Sequence, residues 1–406
     1  MKLDWIGAAA VAALLAGPCA TGAAAATTPA KPAPVKTAPA KAAPAKPAPA
    51  KPAAVAAAPT RPAPAKAAAK AAPARPAAAR LAQAGCSRIC LVALMDRWLT
   101  ALPTHSAAGL PIAANIRFTE QAAKIPVGDG LFVSATEAPS SFKIFAADPT
   151  SGQVGAMVVM KQWGKPALVS LRLKVVGGKI TEAEHVIASD LRETVMANLE
   201  KPRPALLEDV ADSERTSRAQ MWAAANAYFD SIEQDDGSIA PYAEDCTRHE
   251  NGMQTTTNTK PQASPLDSAA PGMAAAMARM GAMNCRDQMN TRGLQYITMV
   301  RPRHLLIIDE QKGLVFGFPR FVHRGNVRVE KIVGVPGVDT LPMNFGPIDL
   351  QASELFKIRN GQLHEIEATG FLNAYLTPTG WEDRYHETYK YAVTHPKTHP
   401  YTAGTH

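Results

Sequence analysis

The sequence lacks the motifs by which proteins commonly hold nucleotides, catalytic serines or zinc. After residue 80 it contains no Gly-rich phosphate loop, no nucleophile elbow and no zinc-binding helix motif. It is also poor in aromatic residues, which make up 6% of the chain. These absences favour a small organic ligand over a nucleotide, and we expect neither a cofactor nor a bound metal.

Acidic residues are missing from residues 27–80, which consist almost entirely of Ala, Pro, Lys and Arg. Such a segment has almost nothing to bury, so it predicts an extended, disordered linker. It holds ten of the 43 Lys and Arg residues, and the remaining 33 stand against 35 Asp and Glu residues. The folded part is therefore nearly neutral, which argues against nucleic-acid binding. The linker's candidate partner is an anionic cell-envelope surface, and the alternative is a spacer without a partner.

No hydrophobic run is long enough to span a bilayer. Residues 1–26 begin with Lys2, continue through an apolar stretch and end in small residues, which is the pattern of a secretory signal peptide. We expect an exported protein, periplasmic or extracellular. A lipoprotein anchored at Cys19 is the alternative, although Pro18 directly precedes that cysteine.

Only four cysteines remain after the predicted signal peptide: Cys86, Cys90, Cys246 and Cys285. An even number in an exported chain predicts two disulfides, and four cysteines allow three connectivities. Metal binding is the competing interpretation, but these cysteines form no Cys-x-x-Cys motif and have no close His pair.

The chain contains an internal repeat. Residues 91–122 align without a gap to residues 221–252, and this alignment pairs Trp98 with Tyr228 and Glu120 with Glu250. Residues 147–155 align to 308–316, and residues 171–185 align to 354–368. The offset grows between blocks, so the second copy carries two insertions. A period this long predicts two tandem domains of one fold, packed as an internal pseudo-dimer in a chain that need not oligomerise.

Each copy opens with a helix and continues as strands. Leu91, Leu94 and Trp98 recur at helical spacing in the first copy, as Met221, Ala225 and Tyr228 do in the second. Alternating apolar segments follow, and they are separated by hairpin signals such as Gly177 with Gly178. A helix followed by an antiparallel meander predicts an α+β fold.

The repeat resembles a known superfamily. The first copy's Arg-Phe-Thr-Glu strand at residues 117–120 and its hairpin at residues 171–182 resemble the SnoaL-like branch of the nuclear transport factor 2-like superfamily. Residues 250–256 and 313–316 resemble an uncharacterised secreted domain family of fungi and bacteria. The resemblance implies two cone-shaped domains, each a curved antiparallel sheet around helices, and each enclosing a pocket without a prescribed reaction.

We predict five segments. They are a signal peptide at residues 1–26, a linker at 27–80, a first cone at 81–200, a second cone with insertions at 214–376 and a tail at 377–406.

Four residues of the second copy are candidates for acid–base chemistry. Glu250 and His323 are candidate proton-transfer groups, Tyr296 would hydrogen-bond a developing oxyanion and Arg301 would orient it. Simpler interpretations stand beside these roles: a turn carboxylate for Glu250 and a solvated strand end for His323.

Other features have a simpler structural interpretation. Asp148 and Asp309 precede turn glycines and are interpreted as turn-closing residues. The paired carboxylates of the last strands are interpreted as the exposed face of a hairpin, with acid–base chemistry as the alternative; these are Glu182, Glu184, Glu365 and Glu367. Met273, Met277, Met280 and Met283 form a helical stripe that suits a pliable lid or core filler, with copper binding as the alternative.

Two functions follow as hypotheses. The first is cofactor-free acid–base catalysis on a small, moderately apolar organic molecule, of the lyase, isomerase or dehydratase type. The second is a non-enzymatic envelope module that binds a ligand or partner. The residues do not decide between an enzyme and a binding module.

Overall fold

The structure is a computed structural model that describes residues 86–139, 141–189, 191–260, 273–343 and 345–382. The predicted signal peptide and linker, Cys19, and the tail histidines 386, 395, 399 and 406 lie outside the described residues. None of the helices in the described ranges combines the length and the apolar character that a membrane crossing requires.

The first half of the structure comprises one long helix and seven strands. Its elements are α1 (Arg88–Ala101), β1 (Ile112–Glu120), β2 (Ala123–Lys124), α2 (Leu131–Ser134), β3 (Ala135–Glu137), β4 (Lys143–Asp148), β5 (Gln153–Gln162), β6 (Lys165–Val176) and β7 (Lys179–Ala188). Two short helices, α3 (Glu193–Met196) and α4 (Pro204–Leu207), lead to the second half.

The second half starts with another long helix. Its elements are α5 (Arg218–Gln234), β8 (Tyr242–Glu250), β9 (Met253–Gln254), α6 (Met273–Gly281), α7 (Cys285–Asn290), β10 (Met299–Val300), β11 (Leu305–Asp309), β12 (Leu314–Gly317), β13 (Arg320–His323), β14 (Val329–Lys331), β15 (Thr340–Pro342), β16 (Ile348–Arg359) and β17 (Gln362–Ala374).

The two main sheets have the same strand order. The first runs β2-β1-β7-β6-β5-β3, with β4 also on β5, and the second runs β9-β8-β17-β16-β13-β10, with β12 also on β16 and β11 on β12. In both sheets the first strand of the half pairs in parallel with the last, and the other pairs are antiparallel. Each sheet is curled into a half-barrel. The predicted α+β class is confirmed, whereas two nuclear transport factor 2-like domains stay a prediction. The expectation of an entirely antiparallel meander is wrong for one pair in each sheet, because the last strand returns beside the first in the same direction.

The long helices pack on the inner face of each sheet. Ser87 caps α1 by accepting a hydrogen bond from the amide of Cys90, and Ser217 forms a capping box with Gln220 at the start of α5. Trp98 of α1 and Tyr228 of α5 are buried against their sheets. The two helices therefore begin at aligned positions and bury aligned side chains, because their caps and apolar spacing agree.

The second half differs from the first by two additions around the same sheet. The segment between β9 and β10 carries α6 and α7, and the segment between β13 and β16 carries the hairpin β14–β15. The additions contact one another, since the Val333 amide donates to the Thr291 carbonyl at 2.9 Å and Gln295 donates to the Lys331 carbonyl at 3.1 Å. Their apolar residues join the core beneath α5.

The halves contact each other through reciprocal ion pairs. Arg88 at the start of α1 pairs with Asp309 at 2.5 Å, and Arg218 at the start of α5 pairs with Asp148 at 2.5 Å. Each Asp also accepts a backbone amide of the other half, from Ala147 to Asp309 at 2.9 Å and from Ile308 to Asp148 at 3.2 Å. The two ion pairs are equivalent in the repeat alignment, because Arg88 aligns with Arg218 and Asp148 aligns with Asp309, as expected of a twofold-related contact.

The outer faces of the two sheets pack together in the same contact. Ser170 and Ser353, which are equivalent in the alignment, share a hydrogen bond of 2.7 Å between their hydroxyl oxygens. Phe316 packs where a Cβ on the equivalent Gly155 would stand, so a glycine in one half makes room for an aromatic ring from the other. An apolar cluster drawn from both halves surrounds these residues.

Two disulfides are present. Cys86 bonds Cys90 at the start of α1, and Cys246 of β8 bonds Cys285 of α7. This resolves the connectivity that the sequence left open, and it fits an oxidising compartment.

The turn-closing interpretation of Asp148 and Asp309 is confirmed, but it is incomplete. Asp148 accepts the amides of Thr150 and Ser151, and Asp309 accepts that of Lys312. The same carboxylates also form the ion pairs between the halves, a role that no local pattern reveals.

Candidate functional site

The interior of the first half is filled by packed rings and one polar chain. Trp98 Nε1 donates to His185 Nε2 at 3.0 Å, so the imidazole proton lies on Nδ1, which faces Glu120 Oε2 at 3.0 Å. Glu120 Oε2 also accepts the Leu131 amide at 2.9 Å. Phe132 packs edge-on against Trp98. These groups satisfy one another, which is the arrangement of a structural core.

The interior of the second half is polar at the equivalent positions. Three side chains define the difference: Arg248 stands where the first half has Phe118, Glu354 where it has Leu171, and Tyr228 where it has Trp98. The carboxylate of Glu250 matches that of Glu120. These four second-half side chains, Arg248, Glu354, Tyr228 and Glu250, are all buried. The second half thus contains a cluster of ionisable groups within the same framework.

Arg248 lies at the centre of this cluster. Its Nε is 3.3 Å from Glu250 Oε1 and donates to Thr255 Oγ1 at 3.0 Å. Its Nη2 donates to Gln288 Oε1 at 2.5 Å. The guanidinium is 4% exposed, and nearby phenol and carboxylate groups keep its pKa above the ordinary value despite burial. Arg248 is therefore a fixed positive charge.

Glu250 and Glu354 are two carboxyl groups in different environments. Glu250 is paired with Arg248, whereas burial and the negative charge of Glu250 raise the pKa of Glu354 well above its usual value. Among the described residues, Glu354 Oε2 has no hydrogen-bond partner. The arrangement favours an ionised Glu250 beside a protonated Glu354, the division of states that separates a general base from a general acid.

Tyrosine hydroxyls complete the cluster. Burial, followed by the charge of Glu354, raises the pKa of Tyr228, and burial raises that of Tyr242, whose hydroxyl lies 2.8 Å from Ser231 Oγ. Both phenols stay neutral and retain an O–H. Neutral donors in a buried site stabilise a developing oxyanion more strongly than they would in water.

Tyr296 and His323, both predicted site residues, stack on one another. Their ring centroids are 5.4 Å apart with planes at 17°. Burial lowers the pKa of His323 to about 3, so the ring is neutral at physiological pH, and its Nδ1 has no hydrogen-bond partner within the described ranges. Burial and the charges of Glu330 and Glu250 raise the pKa of Tyr296. His323 is therefore no source of protons at neutral pH, and its strand end is buried instead of solvated.

Arg301 is engaged elsewhere. Its guanidinium pairs with Glu233 of α5 at 3.1 Å and donates to the Val300 carbonyl at 2.6 Å. Its side chain is 30% exposed. Glu250 and Tyr296 therefore lie in the same buried region as Arg248, whereas Arg301 is ion-paired with a residue of α5.

Sequence reasoning missed Arg248 and Glu354. The signal was present in the alignment, because an arginine and a glutamate replace Phe118 and Leu171 at positions where the first copy is apolar. A charged residue at an inward-facing, otherwise apolar position of a repeat indicates a functional or strongly constrained site.

The paired carboxylates of the last strands are not on an exposed hairpin face. Glu184 and Glu367 are 2% and 1% exposed, because the outer faces of the sheets are covered. Arg172 holds Glu184 at 3.0 Å, and Arg203 of the connecting segment holds Glu367 at 2.7 Å. Burial raises the pKa of Glu184 to about 7. The exposed-face interpretation is wrong, because local alternation cannot show that another surface covers the strand.

The methionine stripe packs into the core of the second half. Met280 is 6% exposed, and Met277 and Met283 pack against the same core. Nothing is described of the Met273 side chain. Within the described ranges, no group of three or more His, Cys, Asp or Glu side chains is placed to hold a metal ion. The packing is that of the core filler predicted from the spacing.

Comparison with known proteins gives one match. A family profile described as "Domain of unknown function (DUF8021)" matches residues 214–370. The matched residues include α5, both additions and the interior cluster. Comparisons with curated proteins and with solved structures find no match.

Proposed function

We propose that the second half is a nuclear transport factor 2-like cone that carries out cofactor-free proton transfer on a small, moderately apolar organic molecule. Glu250 acts as the base, and Glu354 supplies a proton or hydrogen bond to the developing oxyanion. The observation that carries the proposal is the pair of buried carboxyl groups beside Arg248, one ion-paired and one with a raised pKa.

The common strand order supports the proposed cone. A curled, largely antiparallel sheet with a long helix on its inner face supports the arrangement that the resemblance implies, although its first and last strands pair in parallel. Core side chains such as Phe229, Phe356 and Ile366 line the interior beside the polar cluster. That mixture suits a ligand with an apolar body and one acceptor oxygen.

We further propose that the protein is exported. Two disulfides support this, because disulfides persist in oxidising compartments. Envelope attachment through residues 27–80 stays a prediction.

Solvent deuterium exchange tests the proton transfer without knowledge of the substrate. The purified protein is incubated with a metabolite pool in D2O, and mass spectrometry identifies compounds that gain deuterium or change mass only when protein is present. Glu250→Gln and Glu354→Gln should each lower the rate by about 10²–10⁴-fold, the usual contribution of a general acid or base. Glu120→Gln, the equivalent change in the first half, should leave the rate unchanged.

The rival function, a ligand-binding module, predicts a different result. Compounds would then be retained by the protein without isotope exchange or change of mass, and Glu250→Gln would alter retention alone. If Glu120→Gln reduced exchange as much as Glu250→Gln, the assignment of the chemistry to the second half would be overturned.

A further inference from the structure

We propose that Gln288 is a positioning residue for Arg248 and that the Cys246–Cys285 disulfide holds Gln288 in place. The inference rests on the proposed function, because it assigns a role in the same interior cluster. It extends that function to α7, which the first half lacks, and it gives the second disulfide a task beyond stabilising the chain.

The amide of Gln288 has one orientation. Its Nε2 donates to the carbonyls of Thr255 at 2.5 Å and Met280 at 2.9 Å. Carbonyls only accept, so both must face the NH2 group, and Oε1 is left to accept from Arg248 Nη2 at 2.5 Å. The side chain is 7% exposed. Gln288 therefore presents a fixed acceptor to the guanidinium that pairs with Glu250.

The disulfide ties together the two elements that meet at this contact. Cys285 is the first residue of α7 and Gln288 follows it by three positions, which places both on neighbouring parts of one helix face. Cys246 precedes Arg248 by two residues on β8, so their side chains share the inner face of the sheet. The bond thus fixes the distance between the strand that bears Arg248 and the helix that bears Gln288.

The segment after β9 reinforces the same contact. Thr255 Oγ1 accepts from Arg248 Nε at 3.0 Å, and Thr256 Oγ1 accepts from the Arg248 amide at 2.8 Å. Thr256 Oγ1 also lies 3.7 Å from Cys285 Sγ. Arg248 is therefore enclosed by groups that the disulfide and its neighbours hold.

The first half shows that the framework does not need these features. At the positions of Cys246 and Arg248 it has Ile116 and Phe118, and its own disulfide closes the start of α1. The half that has an arginine beneath its long helix also has the disulfide between strand and helix and the glutamine. Their joint presence is explained if the disulfide serves the arginine.

The chain offers a matched control for Gln288. Gln295 lies in the same addition, is 2% exposed and donates its Nε2 to two backbone carbonyls, those of Arg292 and Lys331. Gln288→Leu and Gln295→Leu each remove a buried amide that bonds two carbonyls, but only Gln288→Leu removes the acceptor for Arg248. A general structural effect should be the same in both variants.

Three measurements test the proposal on the full exported chain. Solvent exchange of the Arg248 Nη–H protons, which face Gln288, is followed by NMR and assigned with Arg248→Lys. The protonated carboxyl of Glu354 is followed by infrared spectroscopy and assigned with Glu354→Gln. The melting temperature reports folding. Gln288→Leu should speed the Nη–H exchange at least about tenfold and lower the pH at which Glu354 ionises by about one unit, since a freed guanidinium and entering water both favour the carboxylate.

The disulfide is tested by paired variants. Cys246→Ala/Cys285→Ala should reproduce the exchange and ionisation changes of Gln288→Leu, whereas Cys86→Ala/Cys90→Ala should leave both at wild-type values. Equal changes in Gln288→Leu and Gln295→Leu, or an unaltered Arg248 signal without the Cys246–Cys285 bond, would overturn the proposal.

Failure of this inference is distinguishable from failure of the proposed function. If wild-type protein shows no protonated Glu354 at neutral pH, the acid–base site itself is refuted. If Glu354 is protonated and deuterium exchange occurs, but the Gln288 and cysteine variants behave like their controls, only the positioning role is lost.

Discussion

The two halves are alike in the contact between them and differ in their interiors. At the contact between the halves, Arg88 pairs with Asp309 and Arg218 pairs with the equivalent Asp148. Inside, the first half closes a chain from Trp98 through His185 to Glu120, and the second surrounds a buried arginine with carboxyls and phenols. The same framework therefore supports a satisfied core in one half and a strained electrostatic cluster in the other.

This difference is the reason for placing the proposed activity in the second half. A buried carboxyl without a hydrogen-bond partner is unfavourable for stability, and groups of this kind concentrate at functional sites. Among the described residues, Oε2 of the buried Glu354 lacks a hydrogen-bond partner, whereas the equivalent Leu171 is a fully buried apolar residue. The first half, on this view, stabilises the second by covering its outer face.

Exchanging Leu171 and Glu354 should give the largest effect. Leu171→Glu places a carboxyl without a partner in an apolar core and should destabilise the protein by about 4 kcal/mol. Glu354→Leu should raise the stability by about 1 kcal/mol, because it removes an unsatisfied neutral group, while abolishing deuterium exchange. Urea denaturation measures both. A destabilised Glu354→Leu variant with normal exchange would reverse the comparison.

The contact between the halves should respond equally from either side. Asp148→Ala and Asp309→Ala each leave an arginine and buried backbone amides without their acceptor, and each should lose about 3 kcal/mol in urea denaturation. Asp212→Ala, at the exposed pair with Arg215, should change stability by less than about 0.5 kcal/mol. Strongly unequal losses of stability from the two substitutions would show that the two ion pairs have the same geometry but contribute different free energies.

Replacing the equivalent aromatic residues Trp98 and Tyr228 of the two long helices should affect stability and deuterium exchange differently. Trp98→Phe leaves His185 Nε2 without its donor and reduces packing, so it should lose about 2 kcal/mol and leave deuterium exchange intact. Tyr228→Phe removes the phenol that hydrogen-bonds Arg248, and it should cost less stability because Arg248 keeps Thr255 and Gln288, but it should slow deuterium exchange. Thermal melts and exchange rates on the same samples provide the comparison, which fails if both variants change both quantities in parallel.

The change in stability for each pH unit is the smallest effect that we expect. The pKa of Glu354 is higher in the folded than in the unfolded state, so wild-type stability from this group is complete below the unfolded value and declines as pH rises toward the folded one. Glu354→Gln lacks this decline. Its stability relative to wild type should therefore rise by about 1.4 kcal/mol per pH unit above pH 5. A difference that is constant from pH 5 to 8 would show that Glu354 is ionised in the folded protein.

Local patterns were sufficient for the framework. Helical spacing around Trp98 and Tyr228 predicted the helices α1 and α5, because caps and apolar periodicity act over a few residues. The Gly177 and Gly178 turn joins β6 to β7 as expected. Glu250 and Tyr296 belong to one buried cluster, but Arg301 pairs with a helix residue that the strand pattern did not reveal.

The sequence by itself determined which segments form helices and strands and that the chain repeats one pattern, since these depend on neighbouring residues and on self-similarity. Only the tertiary structure decided that Arg248 pairs with Glu250 and that their charges act on the buried Glu354, that Glu184 and Glu367 are covered, and that Cys246 bonds Cys285. Those outcomes depend on which faces of distant strands are brought together, and the ionisation of a carboxyl depends on the charges and the water around it after folding.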